Sequence, residues 1–580
     1  MNDNSNKVMT DNKITADNKI STDKDAATGN KITVVFNDGS VLKVEKGSTL
    51  LELSQSCKDK YTSAIIAGKV NNDIKELTYR LKNNCKVEFL DLTTEDGMNI
   101  YRRTLTFILV KAVHDVFPER KVIINHSIGK GLYFEIKGEK ELTADDVRRI
   151  KERMKEIVSL KLPFEKIVIP IDDAREMLKE TGRLDKLHLI EDRLKPHITI
   201  YRCDGFEEYF YGYMAPHTGY ATVFDLIYYA PGVVLVYPDI TQPDVLPEFK
   251  DQKKLMAIFN ENREWGRILG VESIGSLNDV VKESGIKELI MISEALHEKK
   301  IAEIADMITK DGHLEKLVLI AGPSSSGKTT FSKRLAVQLR VNGIKPIIIG
   351  MDDYFLDRNE TPIGENGERD FEALEALDIE LFNEHLIKML NGIEVEVPVY
   401  NFQLGKREFA GRKIRMKEDQ VLIIEGIHAL NEKVTPSVTR ENKFKIYVSA
   451  ITSMNIDDNN RVPTTDTRLI RRIVRDNKFR GSTAAETIKR WPSVRRGEEK
   501  NIFPFQEEAD VMFNSSMRYE HGVMKIFAEP LLSKIDDSYS EYSEAKRLKE
   551  FLSYFLPIAD VHEIPNNSIL REFIGGSCFC

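Results

Sequence analysis

The sequence predicts a multidomain protein in which α+β units precede an α/β domain with a parallel sheet flanked by helices. The length of 580 residues, at about 150 residues per domain, corresponds to about four domains. From Leu314 onward, short apolar runs alternate with helical patterns, which is typical of a parallel sheet. Before that point, strands and helices are shorter and mixed, which predicts smaller α+β units.

The composition is that of an ordinary globular protein, with 41% hydrophobic residues, 30% charged residues and a net charge of -8. It excludes a chain disordered throughout, a collagen and a small disulfide scaffold. The sequence has no run of 18 uncharged apolar residues and no apolar segment near residue 1, so we expect neither a membrane span nor secretion. The few, scattered cysteines favour a reducing cytoplasm; they are Cys57, Cys85, Cys203, Cys578 and Cys580.

The first 93 residues divide into two parts. Residues 1–29 are mostly Asn, Asp, Lys, Thr and Ser, which predicts a disordered tail. Residues 32–36 and 41–44 read as strands around a turn at 37–39, and residues 48–54 read as a short helix with a Ser48 cap. With later strands at 64–71 and 85–89, this order predicts a β-grasp domain at 30–93.

Two sequence stretches of this domain resemble the TGS domain that opens threonyl-tRNA synthetases: Asn37-Asp-Gly-Ser40 and Ala64-Ile-Ile-Ala-Gly-Lys-Val-Asn71. The next segment, 94–240, is similar to the second N-terminal domain of those synthetases, their editing domain. The similarity rests on a helix at about 98–116, the run from Ile128 to Phe134, and a helix from Ala144 to about Leu160.

The resemblance implies a His-x-x-x-His metal pair on the first helix of this editing-like domain. The matching positions here are Arg103 and Phe107, and neither side chain ligates zinc. Cys203 and His217 stand near the remaining ligand positions. We therefore expect a retained α+β fold with a degenerate metal site.

Three further segments follow. Residues 241–312 read as a helical connector with amphipathic runs at 280–292 and 301–308. Residues 313–535 form the α/β domain. Residues 536–580 read as a helical docking segment, with an amphipathic helix at 543–555 before Gly575-Gly576.

A G-x-x-x-x-G-K-[ST] motif lies between an apolar strand, Leu317–Ala321, and a helical pattern, which is the context that a P-loop requires. Its glycines let backbone N–H groups converge on phosphate oxygens, and the helix N-terminus favours an anion. Lys328 would reach the β- and γ-phosphates, and the Thr329 hydroxyl would ligate Mg²⁺. The predicted nucleotide-binding residues are Gly322, Pro323, Ser324, Ser325, Ser326, Gly327, Lys328, Thr329 and Thr330.

Two acidic residues end later strands. Asp352 follows the strand at 346–350, which we expect to lie beside the P-loop strand, and it would take a proton from an acceptor hydroxyl. Glu425 ends the strand at 421–425 and would hold Mg²⁺ directly or through water. The alternatives are a solvated Asp-Asp turn and a solvent-facing glutamate.

Residues 461–500 carry twelve Lys or Arg against five Asp or Glu. Arg468, Arg471, Arg472 and Arg475 recur at helical spacing, which favours a lid whose arginines clamp a transferring phosphoryl group. A solvated helix face and a nucleic-acid-binding patch are the alternatives.

These motifs, in this order, resemble the uridine kinase and phosphoribulokinase family over residues 314–530. Beyond the P-loop they comprise Asp352-Asp-Tyr-Phe355, Asp370-Phe-Glu-Ala-Leu374, Pro398-Val-Tyr-Asn-Phe402, Ile424-Glu-Gly-Ile427 and Asp466-Thr-Arg-Leu-Ile-Arg-Arg472. The resemblance implies Asp352 as catalytic base, with Lys328 and Arg471 also catalytic. It also implies acceptor or phosphate contacts by Glu372, Tyr400, Phe402, Arg468 and Arg480.

Two positions depart from the family pattern. Glu372 stands where the family has an Asp that holds the ribose hydroxyls, and Gly405 stands where it has a base-reading His. The loss of a hydrogen-bonding partner in the pocket strongly changes how well an enzyme distinguishes between substrates. Lys406 and Arg407 follow and would favour a phosphorylated sugar.

The sequence thus predicts an ATP- and Mg²⁺-dependent kinase acting on the 5'-hydroxyl of a ribonucleoside such as uridine or cytidine. A phosphoribulokinase-like sugar-phosphate kinase and an RNA- or translation-linked regulator with a nucleotide-sensing P-loop stay open. The expected partner is a small-molecule acceptor in the cytoplasm. RNA contact through the N-terminal domains and a homo-oligomer are left open, and no membrane partner is expected.

Overall fold

A computed structural model describes residues 31–309, 315–364, 367, 369–401 and 403–579. The predicted tail at 1–29, the predicted pocket residue Phe402 and Cys580 lie outside the described residues. Within the described part of the chain, every helix is too short or too polar to span a lipid bilayer.

The first domain is a five-stranded sheet crossed by one helix. The strand order is β2-β1-β5-β3-β4, in which β1 and β5 are parallel and the other pairs antiparallel. The helix is capped by Thr49, not by Ser48 as predicted, because Thr49 and Glu52 exchange side-chain and backbone hydrogen bonds in a capping box. The elements are β1 (Lys31–Phe36), β2 (Val41–Glu45), α1 (Leu50–Cys57), β3 (Ile65–Val70), β4 (Asp73–Glu76) and β5 (Cys85–Asp91).

The second domain packs two antiparallel sheets around the long helix α2. The sheets have strand orders β11-β12-β7-β6 and β10-β9-β8. The elements are α2 (Glu95–Val116), β6 (Lys121–Ile128), β7 (Gly131–Lys137), α3 (Ala144–Ser159), β8 (Glu165–Pro170), α4 (Ile171–Glu180), α5 (Leu184–Glu191), β9 (His197–Cys203), β10 (Phe206–Glu208), β11 (Asp225–Tyr229) and β12 (Gly232–Val236).

Core packing fills the positions where the resemblance implied a metal pair on α2. Phe107 is fully buried, with its ring centroid 5.1–5.5 Å from those of three other phenylalanines: Phe164, Phe206 and Phe210. Arg103 donates to the Tyr213 carbonyl oxygen at 2.9 Å. Among the described residues, no group of three or more His, Cys, Asp or Glu side chains is arranged to hold a metal ion.

Three helices connect this domain to the α/β domain and pack against the core of the α/β domain. They are α6 (Lys253–Ile268), α7 (Ile274–Lys282) and α8 (Ile286–Ile308). The predicted amphipathic run at 280–292 is not one helix, since Ser284 has a φ of +62° and the chain turns between α7 and α8. The Tyr519 hydroxyl donates to Glu294 on α8 at 2.8 Å, and the His297 and Phe513 ring centroids are 5.1 Å apart. Helix α8 therefore packs against the α/β domain.

The α/β domain is built on an all-parallel sheet of order β14-β19-β13-β20-β23. All strands of a parallel sheet end at one edge, so β13, β14 and β19 deliver the residues that follow them to the same crevice. The elements are β13 (Leu317–Ala321), α9 (Lys328–Val341), β14 (Lys345–Gly350), α10 (Ile379–Leu390), β15 (Val395–Glu396), β16 (Val399–Asn401), β17 (Lys406–Glu408), β18 (Lys413–Ile414), β19 (Gln420–Glu425), β20 (Lys443–Ser449), β21 (Asn455–Asp457), β22 (Asn460–Arg461), α11 (Thr464–Arg480), α12 (Ala484–Asn501), β23 (Val511–Asn514) and α13 (Glu520–Leu532).

The C-terminal segment contains α14 (Tyr542–Leu552) and α15 (Arg571–Ile574). On one side, Ser543 and Lys546 of α14 contact the β3–β4 hairpin: the Ile74 N–H donates to Ser543 Oγ at 2.9 Å, and Lys546 pairs with Asp73 at 2.8 Å. On the other side, the residues around α15 lie against α9 and α11. This segment therefore spans the first domain and the α/β domain.

Candidate active site

The loop at 322–330 joins β13 to α9 and has no room for side chains at its two glycines. A Cβ atom at Gly322 would lie 1.9 Å from the Val448 carbonyl oxygen. Gly327 caps α9 with a φ of +84°, a left-handed conformation that favours glycine. Ser325 also lies in this region, with a φ of +59°. The loop is therefore a tight turn that leads directly into the first turn of α9.

Three carboxyl groups from separate segments lie within electrostatic reach of Lys328, the first residue of α9. They belong to Asp352 after β14, Glu372 before α10 and Glu425 at the end of β19, and the charge of Lys328 lowers the pKa of each. Lys328 itself donates to the Gly322 carbonyl oxygen at 2.8 Å. The charge of Lys328 thus acts on all three carboxyl groups.

The order of these strands differs from the prediction in one respect. We predicted that the strand before Asp352 lies beside the P-loop strand, but β19 lies between β13 and β14. Glu425 pairs in register with Ile320 on one side and Gly350 on the other. The carboxylate nearest the P-loop strand is therefore Glu425, which accepts a hydrogen bond from Thr329 Oγ1 at 2.8 Å.

Loss of hydration raises the pKa of all three carboxyl groups. Solvent reaches Asp352 from the crevice, but protein surrounds it on its other sides, and this desolvation raises its pKa against the charges of Lys328, Arg480 and Arg475. Burial raises the pKa of Glu372 to about 7 and that of Glu425 to about 7, and the neighbouring Asp352 adds to both shifts. The crevice therefore favours positive charge.

Arg468 and Arg471 do not lie on an open lid as the sequence predicted. Both are fully buried: Arg468 forms a two-pronged ion pair with Glu498 at 2.7 and 2.5 Å, and Arg471 one with Glu520 at 3.1 and 2.6 Å. Arg471 also donates to the Ser515 carbonyl oxygen at 2.8 Å. Helical spacing reveals the helix but not these partners, which are 30 and 49 residues away in sequence.

Other arginines of α11 face the crevice. Arg472 donates to Ser324 Oγ of the P-loop at 2.6 Å. Arg475 and Arg480 lie near enough to Asp352 for their charges to lower its pKa. Arg475 also pairs with Asp476 at 2.8 Å. Arg472 therefore contacts the loop at 322–330, as does Arg471 by donating to the Ser325 carbonyl oxygen at 3.5 Å, whereas Arg475 and the predicted Arg480 lie near Asp352.

The helix after this one closes over Glu372. A Cβ atom at Gly497 of α12 would lie 2.3 Å from Glu372 Cβ, so glycine is required for this close approach. The Asn501 side chain donates to the Glu372 carbonyl oxygen at 2.7 Å. Sequence analysis did not single out Gly497, and a glycine inside a helical pattern was the signal that could have found it.

Beyond Glu372, Tyr400 and Gly405 lie on the hairpin of β16 and β17. Tyr400 is buried, and its ring centroid is 5.7 Å from that of Phe355. A Cβ atom at Gly405, which has a φ of +67°, would lie 2.6 Å from Arg358 Nε. The Arg358 guanidinium therefore packs on the glycine backbone, at the position where the resemblance implied a base-reading histidine.

Two carboxylates that contact the P-loop were not found from the sequence. Glu498 accepts from the Ser324 N–H at 3.1 Å while it pairs with Arg468. Glu572 of α15 accepts from the N–H of Thr330 at 3.2 Å and from its hydroxyl at 2.7 Å. Nothing in the local sequence of Glu572 signals this contact, because it joins residues 242 positions apart.

The residues present fit ATP and Mg²⁺. The Ser325 and Ser326 hydroxyls are buried and form no hydrogen bond within the described residues, so they are available to phosphate oxygens. Thr329 and Glu425 supply a hydroxyl and a carboxylate side by side, a donor pair that suits Mg²⁺. Burial raises the pKa of Glu425 to about 7, against the charge of Lys328. Thr329 and Glu425 would hold the metal ion.

Two family models match parts of the chain. Residues 317–520 match the model described as "Phosphoribulokinase / Uridine kinase family", and residues 32–91 match the model described as "TGS domain". Both matches confirm the resemblances drawn from the motifs, and the sheet described above confirms the α/β fold class.

The N-terminal part is similar to threonine–tRNA ligases. The ligase of Acetivibrio thermocellus is 30% identical over 197 residues, which cover 34% of this chain and 31% of the ligase. The ligase of Desulforamulus reducens is 31% identical over 189 residues, covering 32% and 30% respectively. The chain thus spans about a third of the length of these relatives.

Two solved structures with lower sequence similarity have titles that describe a kinase or a possible kinase. One from Bacillus stearothermophilus, described as a possible uridine kinase, is 20% identical, covers 37% of this chain and 98% of its own, and has a TM-score of 0.26. The D-glycerate 3-kinase of Cryptococcus neoformans is 11% identical, covers 50% and 87%, and has a TM-score of 0.19. Residues 317–520, which carry the parallel sheet, therefore match the phosphoribulokinase / uridine kinase family model, and residues 32–91 match the TGS model.

Proposed function

We propose that this protein transfers the γ-phosphoryl group of ATP to a hydroxyl group of a small-molecule acceptor. The observation that carries the proposal is the convergence of Asp352, Glu372 and Glu425 on Lys328 at the carboxyl edge of the parallel sheet. A phosphoryl transfer site needs a cation for the phosphates, a metal-holding carboxylate and a base. This crevice offers a side chain for each role.

In the proposed reaction, the P-loop backbone and Lys328 bind the phosphates of ATP. Mg²⁺, when bound by Thr329 and Glu425, supplies positive charge that neutralises the phosphate oxygens. Asp352 accepts the proton of the acceptor hydroxyl as the new oxygen–phosphorus bond forms and the bond to the leaving ADP oxygen breaks. Its raised pKa brings it nearer to neutral pH, where a general base is most effective.

Arginine side chains of α11 stabilise the transferring group in this proposal. Arg472 already contacts the P-loop, and Arg475 and Arg480 lie within electrostatic reach of Asp352. Arg468 and Arg471 instead hold α11 against α12 and α13 through their ion pairs. We therefore propose that these two position the helix, and that the other three act on phosphate charge.

The acceptor proposed first is a ribonucleoside with a free 5'-hydroxyl, such as uridine or cytidine. Glu372 would bind the ribose hydroxyls, and the buried Tyr400 would line the pocket for the base. With its pKa at about 7, Glu372 can either accept or donate a hydrogen bond near neutral pH.

The free thiols of Cys57, Cys85, Cys203 and Cys578 accord with the cytoplasm as the proposed compartment.

A second acceptor class, a phosphorylated sugar, is favoured by the position of Arg358. Its guanidinium lies over Gly405, where it can bind an anionic group at the far end of the pocket. The pair Lys406-Arg407 contributes less to this than the sequence suggested, because Arg407 is paired with Asp378 at 2.8 Å. The Arg358→Ala variant therefore separates the two acceptor classes.

The test is ADP release by the purified full chain with Mg·ATP and a panel of nucleosides, pentoses and pentose phosphates. With the correct acceptor, Asp352→Asn should lower kcat by about 10²- to 10⁴-fold while ATP still binds. Asp419→Asn, which changes an exposed carboxylate of the same domain, is the matched control and should leave kcat unchanged.

The outcomes distinguish the alternatives. Turnover of a pentose phosphate whose KM rises at least tenfold in Arg358→Ala would select the sugar-phosphate kinase. Turnover of uridine or cytidine that is indifferent to this change would select the nucleoside kinase. Full turnover by Asp352→Asn would refute the role of that residue. No ADP release with any acceptor, despite ATP binding, would favour an RNA-linked regulator, which RNA co-purification lost at high salt would support.

A further inference from the structure

The C-terminal segment at 564–579 lies directly on the P-loop. Glu572 Oε2 accepts from the Thr330 N–H at 3.2 Å and from Thr330 Oγ1 at 2.7 Å. Ile569 Cγ2 lies 2.5 Å from the point where a Cβ atom of Gly327 would stand. Farther along α9, Lys333 Nζ donates to the Phe579 carbonyl oxygen at 2.5 Å. The segment therefore covers the first turns of α9.

These groups are the ones that a P-loop offers to nucleotide phosphates. Thr330 is the third residue of α9, and the first N–H groups of a helix have no partner within the helix. In a P-loop, they bind phosphate oxygens together with the partial positive charge of the helix N-terminus. Here, a carboxylate of the same chain takes one of these N–H groups and the adjacent hydroxyl.

Glu572 is held in place by its surroundings. Ile569, Leu570 and Phe573 are fully buried, so the turn that carries Glu572 is packed into the core. Arg571 fixes the turn from its outer side by donating to the carbonyl oxygens of Val561 and Ile564, each at 2.7 Å. A movement that frees Thr330 must therefore shift the α15 turn or rotate the Glu572 side chain.

A phosphate bound at the Thr330 N–H would compete for the same donor groups as the Glu572 carboxylate, and the two negative charges would repel each other. The negative charge of Glu572 also acts on Glu425, whose pKa it helps to raise. Lys328 is the ammonium group of the loop, and its charge already acts on Asp352, Glu372 and Glu425. An additional carboxylate at the P-loop therefore weakens the positive field on which phosphate binding depends.

We propose that the C-terminal segment is an autoinhibitory strap, in which Glu572 occupies part of the P-loop's phosphate-binding surface and must leave before nucleotide binds. This rests on the proposed function, since it presumes that the P-loop binds ATP. The expected consequence is that removing the charge of Glu572 tightens ATP binding. A helix N-terminal carboxylate contact is worth about 1 kcal/mol or slightly more, which corresponds to about tenfold in Kd.

The test is calorimetric titration of Mg·ATP into the full chain, comparing wild type with Glu572→Gln and Glu572→Ala. Glu563→Gln is the matched control, because Glu563 lies immediately before the segment and pairs with Lys287 on the surface at 3.0 Å. We expect Kd to fall about tenfold in both Glu572 variants and to stay unchanged in the control. Thermal unfolding of each variant verifies that the segment still packs.

Hydrogen exchange gives a second readout that needs no substitution. The Gly575 N–H donates to the Arg571 carbonyl oxygen at 2.9 Å, so its exchange reports on the α15 turn. Saturating Mg·ATP should accelerate exchange at 571–576 in the wild type. Unchanged exchange there, together with equal Kd values in all variants, would overturn the proposal.

Two other results have definite meanings. Weaker ATP binding in Glu572→Gln would show that Glu572 assists the nucleotide, for example through its metal ion, and would overturn the strap. Binding by the Glu572 variants but not by the wild type would support it strongly. Failure of every form to bind ATP would refute nucleotide binding itself, and this result is distinguishable from equal binding by all forms.

Discussion

Replacing Arg471 with Met tests whether this residue supports the fold or acts on phosphate. The guanidinium is fully buried and forms a two-pronged pair with Glu520, with further donation to Ser515. Glu520 is 0% exposed, so the substitution would leave a carboxylate buried without its counter-charge. Breaking such a pair from one side costs about 3–5 kcal/mol in the free energy of unfolding.

A double-mutant cycle separates the contribution of the Arg471–Glu520 pair to the free energy of unfolding from the other effects of each substitution. Glu520 also accepts a hydrogen bond from the Met517 N–H at 2.8 Å. The Glu520→Gln variant keeps a side-chain oxygen that can accept this bond. Arg471→Met with Glu520→Gln removes both charges and should cost about 1–3 kcal/mol less than Arg471→Met alone. The assay is urea unfolding followed by the intrinsic fluorescence of the two tryptophans, Trp265 and Trp491, of which Trp491 lies on α12 next to α11.

Arg490→Met is the control, because Arg490 is an exposed arginine on the neighbouring helix α12. It should change the free energy of unfolding by no more than about 0.5 kcal/mol. Our reasoning would be refuted if Arg471→Met were as stable as this control and yet lowered kcat at least a hundredfold. Arg471 would then contact the transferring group, as the family resemblance implied.

Two further predictions concern the P-loop crevice. Gly322→Ala should weaken Mg·ATP binding at least tenfold in calorimetry, because the new methyl group would lie 1.9 Å from the Val448 carbonyl oxygen; unchanged affinity would show that the loop can relax. The folded-state pKa of Glu425, about 7, lies above its ordinary value of 4.5, so the folded chain holds a proton that the unfolded chain releases between these values. This group therefore lowers stability as pH rises from about 4.5 to about 7, and Glu425→Gln should raise the unfolding free energy at pH 8 by up to about 3 kcal/mol but not at pH 4. Equal pH profiles of unfolding for the two proteins would contradict this.

The strand and loop of the nucleotide site could be predicted from the sequence because their signals are local. The apolar run at Leu317–Ala321 and the glycine spacing after it fix both the strand and the turn. The position of β14 was predicted wrongly, since strand order depends on pairing between distant segments. β19 enters the sheet between β13 and β14 from 70 residues farther along, and no periodicity in either strand encodes that insertion.

The arginines show the same limit at the level of side chains. Their spacing predicts a helix, and α11 runs from Thr464 to Arg480. Spacing cannot distinguish an arginine that meets a buried Glu498 or Glu520 from one that meets the P-loop. The difference lies in which face of α11 packs against α12 and α13, and that depends on the tertiary fold.

The C-terminal region has the least sequence signal, yet it joins the two best-recognised domains. Lys546 on α14 pairs with Asp73 of the TGS domain, while Glu572 on α15 meets the P-loop. Deleting the region would remove both contacts and would expose buried side chains such as Phe551 and Phe573. A truncated chain therefore could not distinguish inhibition from misfolding. Single charge changes at Glu572 and at Lys546 separate the two contacts, because each leaves the apolar packing of the segment in place.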